Sequence, residues 1–228
     1  MDKRFYSQAG DRIETRNPVT VSRYRGFTRA NHWLTALCLI LLALSGMALF
    51  HPALYPLTAL FGGGQTTRWL HPIVGVVLFF SFLLMLLQLW RLNLPRPEDA
   101  TWLSQIGDVV QGREERLPEL GKYNAGQKAV FWAMAVLILV LIVTGVLVWE
   151  ELLPEPVPLP LRRWAMLIHA LAAVAIILVF ILHVYAAIWT RGTIRAMTRG
   201  TVTGGWAWRH HRKWLRELAG REKRDPAK

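Results

Sequence analysis

Four of the chain's seven histidines, His32, His71, His169 and His183, lie in or at the edge of long stretches that contain no Asp, Glu, Lys or Arg. An ionisable side chain in apolar surroundings is costly and tends to face a helix-bundle interior with a partner. Neutral imidazole is also a common axial ligand of haem iron. Two chemistries are therefore open to these residues: interhelical hydrogen bonding, or coordination of iron from two sides. Spacing separates them. His169 and His183 are 14 residues apart, which on one helix is about 21 Å along the axis and within roughly 40° of the same face. A single helix thus offers two ligands at two depths, and each needs an opposite number at its own depth.

The elements that must position these ligands follow from the apolar pattern. Residues 30–67, 69–90, 129–149 and 164–190 carry no charged side chain, and a helix needs about 20 residues to cross the hydrocarbon core. The first stretch is one span plus an uncharged loop, and the last exceeds what a span requires. The expected fold is all-α, an integral membrane four-helix bundle with spans at about 32–50, 69–91, 127–149 and 163–190. Trp33, Trp69, Trp90, Trp132, Trp149, Trp164 and Trp189 fall at or near the span ends, where indoles favour the interface.

The chain is 53% hydrophobic and carries a net charge of +12. Its basic residues lie between the apolar stretches rather than on a groove-fitting element, which argues against nucleic acid. Seven Lys and Arg precede the first span, six lie in the middle loop and eleven follow Thr190, against only Arg68, Arg162 and Arg163 on the other side. Basic loops stay in the cytoplasm, so both termini are expected there, in a multi-pass protein of the bacterial inner membrane. No small-residue cleavage site follows a short apolar core near the N-terminus, so no removable signal is expected.

This topology sorts the histidines. His32 opens an outward-running span and sits near the cytoplasm, while His71 opens an inward-running span and sits near the outside. The fourth span runs inward, so His169 is the outer and His183 the inner of its two. The pairs are then His71 with His169, and His32 with His183. Four independent hydrogen bonds would have no reason to match in depth, whereas two haems held by histidine pairs would. Two imidazoles per iron leave no open position for substrate, so such haems would carry electrons. The lone cysteine, Cys38, and the absence of a CxxCH motif imply two noncovalently held b haems.

The other polar residues have plainer expectations. His51 lies past the first span beside Pro52 and reads as interfacial; His210 and His211, in WRHHRKW, read as a solvated or lipid-facing patch. Arg29 and Lys128 lie near the inner level, as haem-propionate partners or, more simply, as solvated interface anchors. Gly46, Gly75 and Gly145 could admit either a porphyrin face or a neighbouring helix. Residues 1–22 read as a flexible or peripherally docked cytoplasmic arm, 23–214 as the transmembrane domain and 215–228 as a basic tail. In the middle loop, Trp102, Leu103, Ile106, Val109 and Val110 recur at helical spacing opposite Asp108 and Gln111, as in a short helix on the membrane surface. Four prolines within 154–160 favour a stiff extended loop and a docking surface for an external partner.

The segments FTRANHW, RWLHPIVG, GKYNAGQK, LIHA and ILHVY together resemble the membrane-embedded cytochrome b (gamma) subunit of respiratory formate dehydrogenases, from about Arg23 to Trp214. The resemblance implies two b haems on the same four histidines. It also implies a quinone pocket (menaquinone or ubiquinone) using Asn124, Gly126 and His183, with Gln127 contributing through water. Asn124 is equally suited to cap the third span, Asn being a preferred cap, and the two roles are compatible. The implied partners are an iron–sulfur (beta) subunit and, through it, a molybdenum or tungsten formate dehydrogenase catalytic (alpha) subunit. The implied activity is electron transfer from a periplasmic partner through the haems to quinone near the cytoplasmic face. This chain has no motif for oxidising formate itself. The alternatives are a dihaem subunit of a hydrogenase, a thiosulfate reductase or another quinone-reducing oxidoreductase, a stand-alone dihaem quinone reductase, and a haem-free transporter with a histidine proton relay.

Overall fold

In lipid, a charge-free stretch can satisfy its backbone only within itself, and each of the four is helical. The computed structural model describes residues 6–8, 10–149, 151–153 and 157–224. In chain order the elements are strands β1 (Arg12–Arg16) and β2 (Val19–Ser22), helix α1 (Gly26–Phe50), a 3-10 helix over Pro52–Phe61 and helix α2 (Gly64–Leu89). After a 3-10 turn at Trp90–Asn93 come short helices α3 (Pro97–Ser104) and α4 (Ile106–Val110), another turn at Glu114–Arg116, then α5 (Ala125–Val148) and α6 (Leu159–Trp189). Then follow α7 (Thr193–Thr198), strand β3 (Thr201–Thr203), α8 (Gly204–His210) and α9 (Arg212–Arg224). Helices α1, α2, α5 and α6 are long and apolar enough to cross a membrane. The expected stiff loop at 154–160 falls partly on residues 154–156, outside the described residues.

The chain forms two units. One comprises Ala30–Leu87 and Ala133–Val184 and holds most of the four long helices. Its exterior is apolar: Leu37, Phe80, Val136, Leu139, Leu171 and Leu178 are all exposed. Its interior carries the polar groups, with Asn31, Thr35, Ser45, Ser81 and Thr144 buried. In lipid, apolar contact between helices gains little over contact with acyl chains, so small and hydrogen-bonding residues hold helices together. Between α1 and α2 the Asn31 amide donates to the Ser81 carbonyl at 2.8 Å, and the Thr35 and Ser81 hydroxyls pair at 2.7 Å.

The other unit comprises Met1–Arg29, Gln88–Trp132 and Tyr185–Lys228. Here the N-terminal segment is an ordered hairpin, β1–β2, extended by β3 into a three-stranded antiparallel sheet in an otherwise helical chain. Val21 and Val202 turn inward from the sheet and pack with Ala196, Trp206, Ala207, Trp214 and Leu218. Segments read from sequence as separate arm and tail thus share one core.

Buried charge completes that core. The Arg23 guanidinium lies over Trp206 at 5.0 Å and Trp214 at 4.9 Å, and donates to the Lys122 carbonyl. Lys122 is itself buried, its ammonium donating to Asp11 at 2.6 Å, Gln8 at 2.9 Å and the Arg23 carbonyl at 2.8 Å. Burial pulls its pKa down to about 8 against the opposing pull of Asp11. His211, expected in a solvated patch, is instead buried, and its Nδ1–H donates to the Gly121 carbonyl at 2.7 Å. Its neighbour His210 meets Glu114 at 2.8 Å. The burial has a physical source: α8 packs Trp206 inward and α9 packs Trp214 inward, and His211 between the two helices goes with them.

The middle loop forms two short helices broken at Gln105 rather than one. Trp102 does not share an exposed face with Leu103, Ile106 and Val110; it is buried with Leu120 and Ala125. Lys128 is likewise no solvated anchor, because its ammonium is buried against the Asp99 carboxylate at 2.7 and 2.9 Å. Arg29 donates to the Thr198 carbonyl at 2.5 Å.

Burial, with Arg23 next to it, holds the His211 imidazole well below its ordinary value of 6.5. The folded chain therefore resists a proton that the unfolded chain accepts. The stabilisation is complete above about pH 6.5 and is lost as pH falls below it, by up to about 1.4 kcal/mol per unit. Limited proteolysis of the β1–β2 hairpin should accelerate between pH 7.5 and 5.5, and His211→Gln should flatten that dependence.

Candidate haem centres

The sites are assembled by α1, α2, α5 and α6 within the unit that holds all four histidines. His71, on α2, and His169, on α6, stand with ring centroids 6.4 Å apart and planes inclined at 63°. His32, on α1, and His183, on α6, stand 6.2 Å apart at 50°. These are the two pairs that depth alone matches. Neither pair is hydrogen-bonded or stacked face to face; the His71 and His169 rings are inclined edge to face and the His32 and His183 rings are tilted. Metal–nitrogen bonds of roughly 2 Å, with a ring centroid about 1 Å behind each nitrogen, put the centroids of two imidazoles on one metal about 6 Å apart. Among the described residues no three His, Cys, Asp or Glu side chains converge on a metal position. A metal between either pair must therefore bring its other donors with it, as an iron porphyrin does. The residues fit a haem at both pairs.

The His71 and His169 surroundings repeat one arrangement. Ser45 donates its hydroxyl hydrogen to the Leu41 carbonyl one turn back on α1, at 2.7 Å, and its oxygen stands 2.7 Å from His71 Nδ1. Thr144 donates to the Val140 carbonyl on α5, at 2.7 Å, and stands 2.9 Å from His169 Nδ1. With each hydroxyl donating to a carbonyl of its own helix, the oxygen is placed to accept from Nδ1–H in the tautomer that protonates Nδ1. That leaves the Nε2 lone pair free in both rings, the tautomer an iron requires. The residue after each hydroxyl is a glycine. A Cβ at Gly46 would come within 3.4 Å of His71 Cε1, and one at Gly145 within 3.4 Å of His169 Cε1. Gly75 faces only Leu42, at 3.9 Å, and shows the ordinary helix-packing role.

The hydroxyl–glycine pairs were not singled out from sequence, although a signal exists: Ser-Gly and Thr-Gly precede His71 and His169 by nearly equal intervals. His51 is no ligand here. It caps the 3-10 helix over Pro52–Phe61, its Nδ1 accepting from Ala53 N–H at 3.1 Å.

Asn124, Gly126 and Gln127 belong to the other unit and open α5. Asn124 does cap the helix: its Oδ1 accepts from Gln127 N–H at 2.8 Å, and Gln127 Oε1 accepts from Asn124 N–H at 3.1 Å. This reciprocal pair is a capping box. The Asn124 amide Nδ2 makes no hydrogen bond among the described residues. The Gly126 N–H lies in the first turn, where donors have no carbonyl within the helix. Trp102 lies 3.1 Å from where a Gly126 Cβ would stand, so that glycine also seats α3.

Residues 23–200 match the family model described as prokaryotic cytochrome b561. The chain belongs to that family. It is therefore a multi-pass membrane cytochrome b, a haem-b-binding electron-transfer protein. It is 42% identical over 199 residues to the Escherichia coli formate dehydrogenase cytochrome b556(fdo) subunit, covering 87% of this chain and 93% of that one. The nitrate-inducible E. coli formate dehydrogenase cytochrome b556(Fdn) subunit is 39% identical over 87% of this chain and 91% of its own length. The Haemophilus influenzae formate dehydrogenase cytochrome b556 subunit is 34% identical over 90% and 87% respectively.

The close approach at Gly145 makes a sharp test. Gly145→Val should displace His169 and remove one haem from the reduced-minus-oxidised spectrum, whereas Gly75→Ala should leave the spectrum intact. Equal spectra for the two variants would show that the glycine does not seat the ligand.

Proposed function

We propose that this cytochrome is the membrane anchor and electron-transfer subunit of a respiratory formate dehydrogenase in a bacterial inner membrane. The observation that carries the reading is the pair of imidazole separations, 6.2 and 6.4 Å, on one shared helix. Two b haems held there would supply a one-electron relay between the His71/His169 level and the His32/His183 level. The names of the relatives support formate dehydrogenase as the complex. Partners are then an iron–sulfur subunit and, through it, the molybdenum or tungsten subunit that oxidises formate. The charge asymmetry of the loops, with Lys and Arg crowded on the side of both termini, supports cytoplasmic termini and puts His32 and His183 at the inner level.

Quinone is proposed to bind near that level. Asn124 Nδ2 and the Gly126 N–H are two donors left open by the capping box, and a quinone carbonyl that gains charge on reduction needs such donors. Gln127 would act through water, its Oε1 being occupied by the cap. With His183 as the remaining contact implied by the family, the inner pair would serve both haem ligation and quinone. Protons taken up at the cytoplasmic face, with electrons arriving from outside, would make the subunit contribute to a proton-motive force.

Asn124→Asp separates capping from quinone binding, because it keeps the cap oxygen and removes the Nδ2 donor. In the purified complex the variant should stay assembled, with both haems reducible by formate, while quinone turnover falls at least about tenfold, a loss of about 1.4 kcal/mol. Unchanged turnover would remove Asn124 from the site. Copurification with the tagged chain tests the complex itself. A nickel–iron subunit in place of a formate-oxidising one would overturn the formate assignment, and an isolated chain that is fully active alone would overturn the anchor role.

A further inference from the structure

The two histidine pairs are held differently. His71 and His169 each hold Nδ1 within hydrogen-bond distance of a hydroxyl oxygen, at 2.7 and 2.9 Å, and the Leu141 backbone is a further hydrogen-bond partner of His169. At the other pair His32 Nδ1 is buried without a hydrogen-bond partner, and His183 makes no hydrogen bond among the described residues. The difference is built in and not incidental. Ser45 is nine-tenths and more buried, and Thr144 is buried too. Both hydroxyls are locked by donating to a carbonyl four residues back on their own helices. In that arrangement each oxygen is the acceptor for the histidine's Nδ1–H. Both also sit beside a glycine whose Cβ position would be in contact with the ring, at 3.4 Å.

An axial imidazole whose Nδ1–H is drawn toward an acceptor is a stronger donor through Nε2, and hydrogen bonding to axial ligands is one of the levers that set a haem potential. Stronger donation favours ferric over ferrous iron. We propose that Ser45 and Thr144 are positioning residues that lower the reduction potential of the haem held by His71 and His169 below that of the haem held by His32 and His183. The inference rests on the two-haem reading. Its consequence is directional. One electron reduces one ferric iron, with no bond broken and no proton transferred, and an electron from a low-potential one-electron donor such as an iron–sulfur protein moves downhill from the first pair to the second. The same chemistry orients both rings, so the two hydroxyls select the tautomer as well as tune the donor strength.

The test uses the purified full-length chain in its complex. Haem per chain is measured first by pyridine haemochrome, and fewer than two haems in the unaltered protein would defeat the two-haem reading rather than the tuning. Redox titration of the α-band should then resolve two components, with His71→Ala removing the lower one. Ser45→Ala and Thr144→Val should each raise the lower component, the double variant should raise it further, and the higher component should stay in place. Ser45→Thr and Thr144→Ser, which keep a hydroxyl, should retain the original potential. Should Ser45→Ala lose a haem, Ser45→Cys, whose thiol accepts weakly, replaces it in the series. No shift with both haems retained would overturn the proposal. So would equal shifts in both components, hydroxyl-retaining variants that shift as far as the deletions, or removal of the higher component by His71→Ala.

Discussion

An imidazole inside a bilayer must be partnered, and the depth at which each imidazole meets its partner is set by the helix that carries it. That constraint organises the membrane unit. At 6.2 and 6.4 Å between centroids the histidines of each pair do not touch as hydrogen-bonded rings would. Their positions are fixed from outside by helix packing and, at the His71–His169 pair, by contact with Ser45 and Thr144 and with the backbone at Gly46 and Gly145. The apolar exterior and polar interior of the same helices follow from the solvent being lipid. Buried hydrogen bonds such as Asn31 to Ser81 and Thr35 to Ser81 replace the hydrophobic driving force that a water-soluble bundle would use.

The second unit obeys the opposite rule. Its core is sealed by valines and tryptophans and crossed by buried ions, with Arg23 sandwiched between indoles and Lys122 tied to Asp11. A buried pair of this kind adds little net stability over an apolar core, yet loss of either partner leaves a charge stranded. Because Asp11, Arg23, Lys122 and Trp214 come from distant parts of the sequence, the network fixes which segments meet. It fastens the N-terminal hairpin and the C-terminal helices to the loop that leads into α5, where Asn124 and Gly126 are held.

The long helices and the histidine pairing were legible in the sequence because both depend on coarse, one-dimensional quantities: runs without charge, and depth along a helix of fixed rise. Capping by Asn124 was legible for the same reason, as a local signal at a helix start. His211, Lys128 and Trp102 were misread because their burial depends on contacts from segments remote in sequence. A basic, aromatic tail looks like a solvated patch until the strands and helices that enclose it are placed. The β1–β2 hairpin was invisible because RIETR and VTVS are short and mostly polar, and only pairing with β3 and packing on Trp206 gives Val21 an interior to occupy. Ser45 and Thr144 escaped notice because a hydroxyl in a transmembrane helix ordinarily bonds back to its own helix; these two do so and serve the histidines as well.

Family membership makes the chain a haem-b cytochrome; two haems, one at each histidine pair, are what we propose from the imidazole spacings. The measurement that tests this most directly is the haem b content of the purified chain together with low-spin electron paramagnetic resonance of its oxidised form. The account predicts two haems per chain, both with bis-imidazole signals. One haem per chain, or a signal showing an axial ligand other than histidine, would contradict it.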